Sequence, residues 1–261
     1  MARYDNLRVL RHAHTTTITL SRPERRNPLT LNTIEELISA LNDAADSDAL
    51  AVVIAADGPV FCAGHDFSEM LDKDLSQVQH LFARCASLMT RLAQIPQPVI
   101  ASVHALATGA GCQLVASCDL VVASSEARFA TPGGKGGLFC TTPLVAVGRA
   151  VGAKRALEMG LSGDPIDAPT ALSWGLVNQV VAPEQLESAT AELVARVTRG
   201  SVESRTIGKR AFYRQMELSL DEAYDYASDV MARASLIEDS QESIRAFLEK
   251  RPANFSRPAP R

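Results

Sequence analysis

A chain of 261 residues, 46% hydrophobic and 21% charged, holds enough apolar side chains to bury a sizeable core, which excludes a disordered chain. Its formal net charge of -4 argues against a broad nucleic-acid-binding face. The five cysteines, Cys62, Cys85, Cys112, Cys118 and Cys140, are odd in number and lack zinc-site spacing, so free thiols, no metal and a reducing compartment are expected, with the cytoplasm as default.

The chain opens on strand-like segments. Leu7 to Val9 and Thr15 to Leu20 read as a hairpin, and Leu31, Ile34, Leu37, Ile38 and Leu41 recur at helical spacing within Leu29 to Asn42. Leu50 to Ala55 reads as a buried strand, Phe67 to Leu71 as a helix-like start, and Leu81 to Ile95 as an amphipathic helix stopped by Pro96 and Pro98. Val99 to Val103 is a strand, Cys112 to Cys118 a helix, and Leu120 to Ala123 and Arg128 to Ala130 are extended again. Helical pattern follows from Leu144 to Leu161 and from Thr170 to Trp174, then a short strand from Val177 to Val181. Strand then helix in repetition predicts an α/β core with helices covering the sheet. From Glu184 to Glu249 the pattern is almost continuously helical, its apolar stripes serving either internal packing or a subunit interface. No apolar run reaches the roughly 20 residues that span a bilayer, and MARYDNLRVLRHAHTT carries charges before any long apolar segment, so neither a membrane span nor a secretory signal is expected.

Two glycine-punctuated turns, PVFCAGHDFSEM from Pro59 and ATGAGCQLVASCD from Ala107, each follow an apolar run and are able to present bare backbone N–H groups. Taken in order with RPERRNPL from Arg22, RFATP from Arg128 and AFLEKRPANF from Ala246, they resemble the enoyl-CoA hydratase/isomerase, or crotonase, family over nearly the whole chain. Gln113, Ala130 to Pro132 and Gly137 to Thr142 are similar to one branch, called enoyl-CoA hydratase domain-containing protein 3 in animals. The resemblance implies a crotonase-like spiral of strand-strand-helix units with a C-terminal helical region. It implies a 1–199 acyl-CoA-binding core, a 200–251 oligomerisation or lid region and an irregular 252–261 tail. A homotrimer or a dimer of trimers follows from it, with no redox cofactor beyond the coenzyme A carried by an acyl-CoA thioester.

By residue-for-residue matching, the thioester oxyanion would meet the backbone N–H groups of His65 and Ala110, with Ala63, Gly64, Gly109 and Gly111 shaping the turns. The two glutamates of the family's hydratases fall on Gln113 and Gly133. A glutamine orients water but does not cycle between acid and carboxylate, and glycine brings no side chain, so ordinary two-glutamate hydration is not expected. His65 is a candidate for replacing them, with pocket lining as the plainer reading. Asp66 and Asp119 read as local hydrogen-bonding groups, Glu69, Asp72 and Asp74 as surface charges on a segment able to cover an acyl group, and His104 as a polar turn residue. Cys62, Cys112 and Cys140 read as packing, and GGKGG from Gly133 lacks the order of a phosphate loop. The coenzyme thioester is expected to border Arg22, Arg25, Arg26, Ala63, His65, Asp66, Phe67, Gly109 and Ala110, with Lys250 and Arg251 approaching its phosphates.

Overall fold

The computed structural model describes residues 4–256. The expected tail begins within them, and its last residues, 257–261, lie outside the described residues. The opening hairpin joins β1 (Leu7–His12) to β2 (Thr15–Leu20), antiparallel with Leu7 opposite Leu20. A two-residue strand β3 (Pro28–Leu29) leads to α1 (Leu31–Ala45). The Thr30 side chain caps α1 by accepting from the Thr33 N–H, and Ile34, Leu37 and Leu41 are fully buried along its inner face.

Two turns of a spiral follow, each giving one strand to a large sheet, short strands beyond it and then a helix. The first is β4 (Ala51–Ala56), β5 (Val60–Cys62), β6 (Gly64–His65) and α2 (Leu75–Gln94). The second is β7 (Val99–Val103), β8 (Leu106–Thr108) and α3 (Ala110–Ser117). A third, looser turn has β9 (Leu120–Ser124), β10 (Arg128–Ala130), α4 (Pro143–Val151) and α5 (Ala153–Ser162). It closes through β11 (Ile166–Asp167), α6 (Ala168–Trp174), β12 (Gln179–Val181) and α7 (Leu186–Val197). The large sheet has the order β1-β2-β4-β7-β9-β12, parallel from β2 onward. The small sheet has the order β11-β10-β8-β5, in which β5, β8 and β10 are parallel neighbours, and β3 pairs with β6 on their flank. This is the crotonase-like spiral.

Several boundaries differ from the apolar pattern for physical reasons. α2 starts at Leu75 rather than near Leu81 because Asp74 and Gln77 form a reciprocal capping box, so a polar first turn sets the start. The Phe67 segment is a single 3-10 turn, Phe67–Glu69, capped by Asp66. The continuous stretch expected from Leu144 to Leu161 is broken at Gly152, whose φ of +82 lets the chain turn between α4 and α5.

The C-terminal region forms α8 (Val202–Gln215), α9 (Leu220–Ala234) and α10 (Glu238–Leu248). Internal packing does not account for its apolar stripes: α9 buries no residue, and Leu220 and Met231 are each 73% exposed. What fastens the region to the core is polar. Lys209 of α8 donates to the Leu92 and Gln97 carbonyls at 2.9 and 2.8 Å and to Asp119 Oδ2 at 2.6 Å. The Tyr213 hydroxyl donates to Asp119 Oδ1 at 2.7 Å. Asp119 Oδ2 also accepts the Val99 N–H, so one carboxylate ties α8 to the start of β7.

At the end of α10, Arg251 makes a bidentate pair with Glu242, and the Asn254 N–H donates to the same carboxylate. The Arg251 hydrogen bonds hold the Glu242 carboxyl at about 2, well below its ordinary 4.5. A depressed carboxylate contributes stability that is fully present above its unfolded value and is lost as pH falls through the folded one. Amide exchange around Asn254 is therefore expected to be pH-corrected constant from neutrality to about pH 5 and to accelerate below about pH 4. Unchanged protection at pH 3 would show that this clamp does not hold the segment.

Candidate active site

The parallel strands β5, β8 and β10 end side by side, and the three motif turns leave from their carboxyl ends: Ala63 to His65, Gly109 to Gln113, and Thr131 to Gly133. Open α/β sheets concentrate ligand sites at such ends. Bare glycines permit the approach. Gly64 has φ +86, and a Cβ placed on it would lie 2.9 Å from the Thr108 carbonyl oxygen and 3.1 Å from the Ala110 nitrogen. A Cβ on Gly111 would meet the Cys62 carbonyl oxygen at 2.4 Å, so α3 starts hard against β5 only because that position is glycine. Ala110 is the first residue of α3 and Gly109 offers no capping side chain. A first-turn N–H has no acceptor within its own helix, so that of Ala110 adds the positive end of the helix dipole beside His65.

His65 pairs with Leu29 in the flanking ladder, and its Nδ1 lies 3.1 Å from the Leu29 carbonyl oxygen. A carbonyl only accepts, so Nδ1 carries the proton and Nε2 is left as an acceptor, buried and unpaired. Burial holds the ring below its ordinary pKa and hence neutral, its edge against Phe82 at a centroid distance of 5.3 Å. Gln113 sits one turn into α3, 4% exposed, with Oε1 buried and unpaired. Thr131 is fully buried, and its Oγ1 is unpaired as well. Thr131 was not among the residues the sequence singled out as candidates; it was legible only as part of RFATP.

Gly133 is a correction to the simple picture of a deleted side chain. A Cβ there would point at the Leu138 carbonyl oxygen, 2.0 Å away, with Cys140 Sγ at 2.8 Å. The chain from Leu138 to Cys140 folds back over it, the Leu138 N–H donating to the Gly133 carbonyl and the Gly133 N–H to Cys140 Sγ. Position 133 brings backbone to the site and has no room for a carboxylate.

The cysteines are all free and buried. Burial pushes the Cys62 and Cys112 thiols up to about 12 and raises Cys140, so none is poised as a thiolate. Other candidates are held by their neighbours. Asp66 caps the 3-10 turn through Ser68 and pairs with Arg25 at 2.9 Å, Glu69 accepts from the Leu31 N–H, and His104 meets the Gly58 carbonyl. Among the described residues no group of His, Cys, Asp and Glu is placed to hold a metal, and no helix is long and apolar enough to cross a membrane.

Arg22 pairs with Glu24 and donates to Asn6, which leaves Arg26 as the arginine of that segment without an ion pair among the described residues. Arg26 adopts φ +63 and its carbonyl accepts the Ala63 N–H at 3.0 Å, tying the arginine turn to the first glycine turn. Asn27 secures the same junction by donating to the Asp57 and Val60 carbonyls, a role missed in the sequence. Phe67 is 72% exposed. Lys250 has no ion pair among the described residues, whereas Arg251 is committed to Glu242 and Glu249.

The family profile described as Enoyl-CoA hydratase/isomerase matches residues 11–258. A mitochondrial enoyl-CoA hydratase domain-containing protein 3 from Xenopus laevis is 46% identical over 237 residues, covering 90% of this chain and 80% of the relative. The crystal structure of the human protein of that name superposes with a TM-score of 0.92 at 40% identity, over 95% of this chain and 99% of the other. An enoyl-CoA hydratase from Mycobacterium smegmatis gives a TM-score of 0.92 at 42% identity, over 95% and 98%. The expected cytoplasmic location is overturned by the mitochondrial relatives. Buried free thiols imply only a reducing compartment, and that criterion does not choose between such compartments. With the spiral, the paired glycine turns and these similarities in agreement, the chain belongs to the enoyl-CoA hydratase/isomerase family.

Proposed function

We propose that the chain binds an acyl-CoA thioester with its carbonyl oxygen between the backbone N–H groups of His65 and Ala110. The observation that carries this is the contact of Gly64 with the start of α3, where the Ala110 nitrogen would stand 3.1 Å from a Cβ on Gly64. Such a pair of donors favours an enolate-like oxyanion. Coenzyme phosphates would meet Arg26 and Lys250, which have no ion pair among the described residues, with Arg22 and Arg25 beside the turn. In this reading residues 1–199 form the binding core and 200–251 an oligomerisation region, whose exposed Leu220, Met231 and Phe247 suit a trimer or a dimer of trimers.

The chemistry beyond carbonyl polarisation differs from two-carboxylate hydration, because Gln113 does not ionise and position 133 is closed to a side chain. A second reading, acyl-CoA binding without turnover, is favoured by that same pair of positions. A screen of acyl-CoA thioesters with mass analysis of products separates the two, and Gly64→Ala is its control. Added bulk against Thr108 and Ala110, at a φ of +86, displaces the first donor. Loss of one such donor costs roughly 3 kcal/mol in a transition state, a factor of about 100 in kcat. A Gly64→Ala protein that turns over or binds thioesters like wild type would reject the proposed carbonyl position.

A further inference from the structure

A cavity of about 630 Å³ lies at the amino ends of β4 and β7 and shares no residue with the motif turns. Small-molecule sites commonly span roughly 300–1,000 Å³. The end of α1, the link from Pro96 to Pro98 and the start of α8 line it, and the two helix ends have opposite polarity. The α1 end is negative, has no basic residue in its last turn, and brings Asp43, Asp46 and Asp48 to the cavity. Arg11 is the cation on that side, its Nη2 donating to the Asp43 carbonyl. Asp43 accepts from the Tyr4 hydroxyl and Asp48 faces His14 at 3.4 Å, which leaves the Asp46 carboxylate without a partner among the described residues. Gln97, 6% exposed, lines the same cavity. Its Nε2 donates to the Ala44 and Ala49 carbonyls at 2.9 and 3.1 Å, which fixes the amide orientation and leaves Oε1 buried without a donor. The α8 end is positive and brings Val202 and Arg205. Arg205 Nη1 donates to the Thr198, Arg199 and Gly200 carbonyls at 2.8, 2.8 and 3.3 Å, and no carboxylate pairs with this guanidinium among the described residues. One turn further on, Lys209 donates to the Gln97 carbonyl at 2.8 Å and so links α8 to the Gln97 segment.

We propose that this cavity binds a free α-amino acid with an apolar side chain, its ammonium at Asp46 and its carboxylate at Arg205. The proposal stands apart from the acyl-CoA reading. A simple anion would meet three aspartates and a simple cation two arginines, whereas a zwitterion places each charge at the helix end that favours it. Both ends are then held by charge-assisted hydrogen bonds. An ammonium has three donors, enough for Asp46 and for the Gln97 acceptor. Leu50, Pro96, Pro98 and Val202 supply the apolar lining for the side chain. Bound there, the amino acid bridges α1 and α8 beside the Lys209 link.

The test is equilibrium dialysis of the full chain with radiolabelled L-leucine, with glycine, N-acetyl-L-leucine and L-leucinamide as competitors. L-Leucine is expected to bind saturably. Removing either charge forfeits a charge-assisted hydrogen bond, so the acetylated and amidated forms should compete at least about tenfold more weakly. Glycine, without the apolar side chain, should also compete more weakly. Asp46→Asn should weaken L-leucine by about tenfold or more and leave N-acetyl-L-leucine unchanged, while Arg205→Gln should weaken L-leucine and spare L-leucinamide. If Arg205→Gln fails to fold for want of its carbonyl contacts, Asp46→Asn decides alone, because its carboxylate has no partner to lose. Gly64→Ala should leave L-leucine binding unchanged, which separates this proposal from the thioester reading. No saturable binding of L-leucine at millimolar concentration overturns the proposal. Equal competition by N-acetyl-L-leucine overturns the zwitterion as the ligand class, and binding that Asp46→Asn leaves intact overturns the placement in this cavity.

Discussion

Gly133→Glu is expected to destabilise the protein and to restore no hydration, alone or combined with Gln113→Glu. By the sequence resemblance, this position is where a catalytic glutamate is expected, so the double variant is the obvious attempt at rescue. Geometry opposes it. The first added carbon would sit 2.0 Å from the Leu138 carbonyl oxygen, a backbone atom that cannot rotate away. The Leu138 and Gly136 N–H groups both donate to the Gly133 carbonyl, so relief requires the whole turn from Gly133 to Cys140 to move. That turn is braced on α5. A Cβ on Gly134 would meet the Gly160 carbonyl oxygen at 2.8 Å, and Lys135 pairs with Asp164 just beyond α5. Overpacking of this kind costs about 1–3 kcal/mol, and in a chain of this size each kcal/mol lowers Tm by about 2–4 °C. Gly133→Ala isolates the Cβ and should show most of the loss. A double variant with wild-type Tm and a large gain in crotonyl-CoA hydration would mean that the turn opens freely.

The obstruction at Gly133 also shows where sequence reading stops. The sequence carries a glycine where a glutamate is expected, which registers as a missing acid; that the vacancy is filled depends on Leu138 and Cys140 returning to it, a contact no periodicity encodes. The glycine turns themselves were legible because glycine adopts without steric cost conformations such as φ +86 at Gly64 and φ +58 with ψ -122 at Gly109. Helices such as α1 were legible because Ile34, Leu37 and Leu41 form a stripe with the helical period. The small sheet was mostly not. β5 and β8 are three residues long and β6 two, too short for alternation to show, yet the ends of β5 and β8 carry two of the three motif turns. The spiral leaves no internal repeat in the sequence for a related reason: its turns share an order of elements but not their lengths. Thr131 was hidden differently. A threonine after a strand is unremarkable until burial shows its hydroxyl to be without a partner.

Asp119→Ala should be among the most damaging single changes outside the site, and its pH dependence should identify the cause. Asp119 and Lys209 are only 13% and 12% exposed, and the carboxylate also accepts from Tyr213 and the Val99 N–H. Removing it strands a buried ammonium, and breaking a buried pair costs roughly 3–5 kcal/mol. Lys209→Met removes the charge instead, leaving Asp119 with two donors, and should cost less. If the pair is the cause, the double variant will be more stable than Asp119→Ala alone. Burial already lowers the Lys209 pKa below its ordinary 10.5, against the attraction of Asp119. Without Asp119 the folded value falls further, so between it and the unfolded value the unfolded chain binds more protons. Stability then rises with pH across that window, and Asp119→Ala should regain stability more steeply than wild type as pH rises toward the unfolded lysine value of about 10.4. Higher pH is unsuitable for the comparison. Tyr213 has its pKa raised by burial and by Asp119, so in wild type it contributes stability that declines once the unfolded tyrosine ionises. Urea melts at three pH values would decide the matter: parallel slopes for wild type and Asp119→Ala would show that the loss comes from packing rather than from the stranded charge of Lys209.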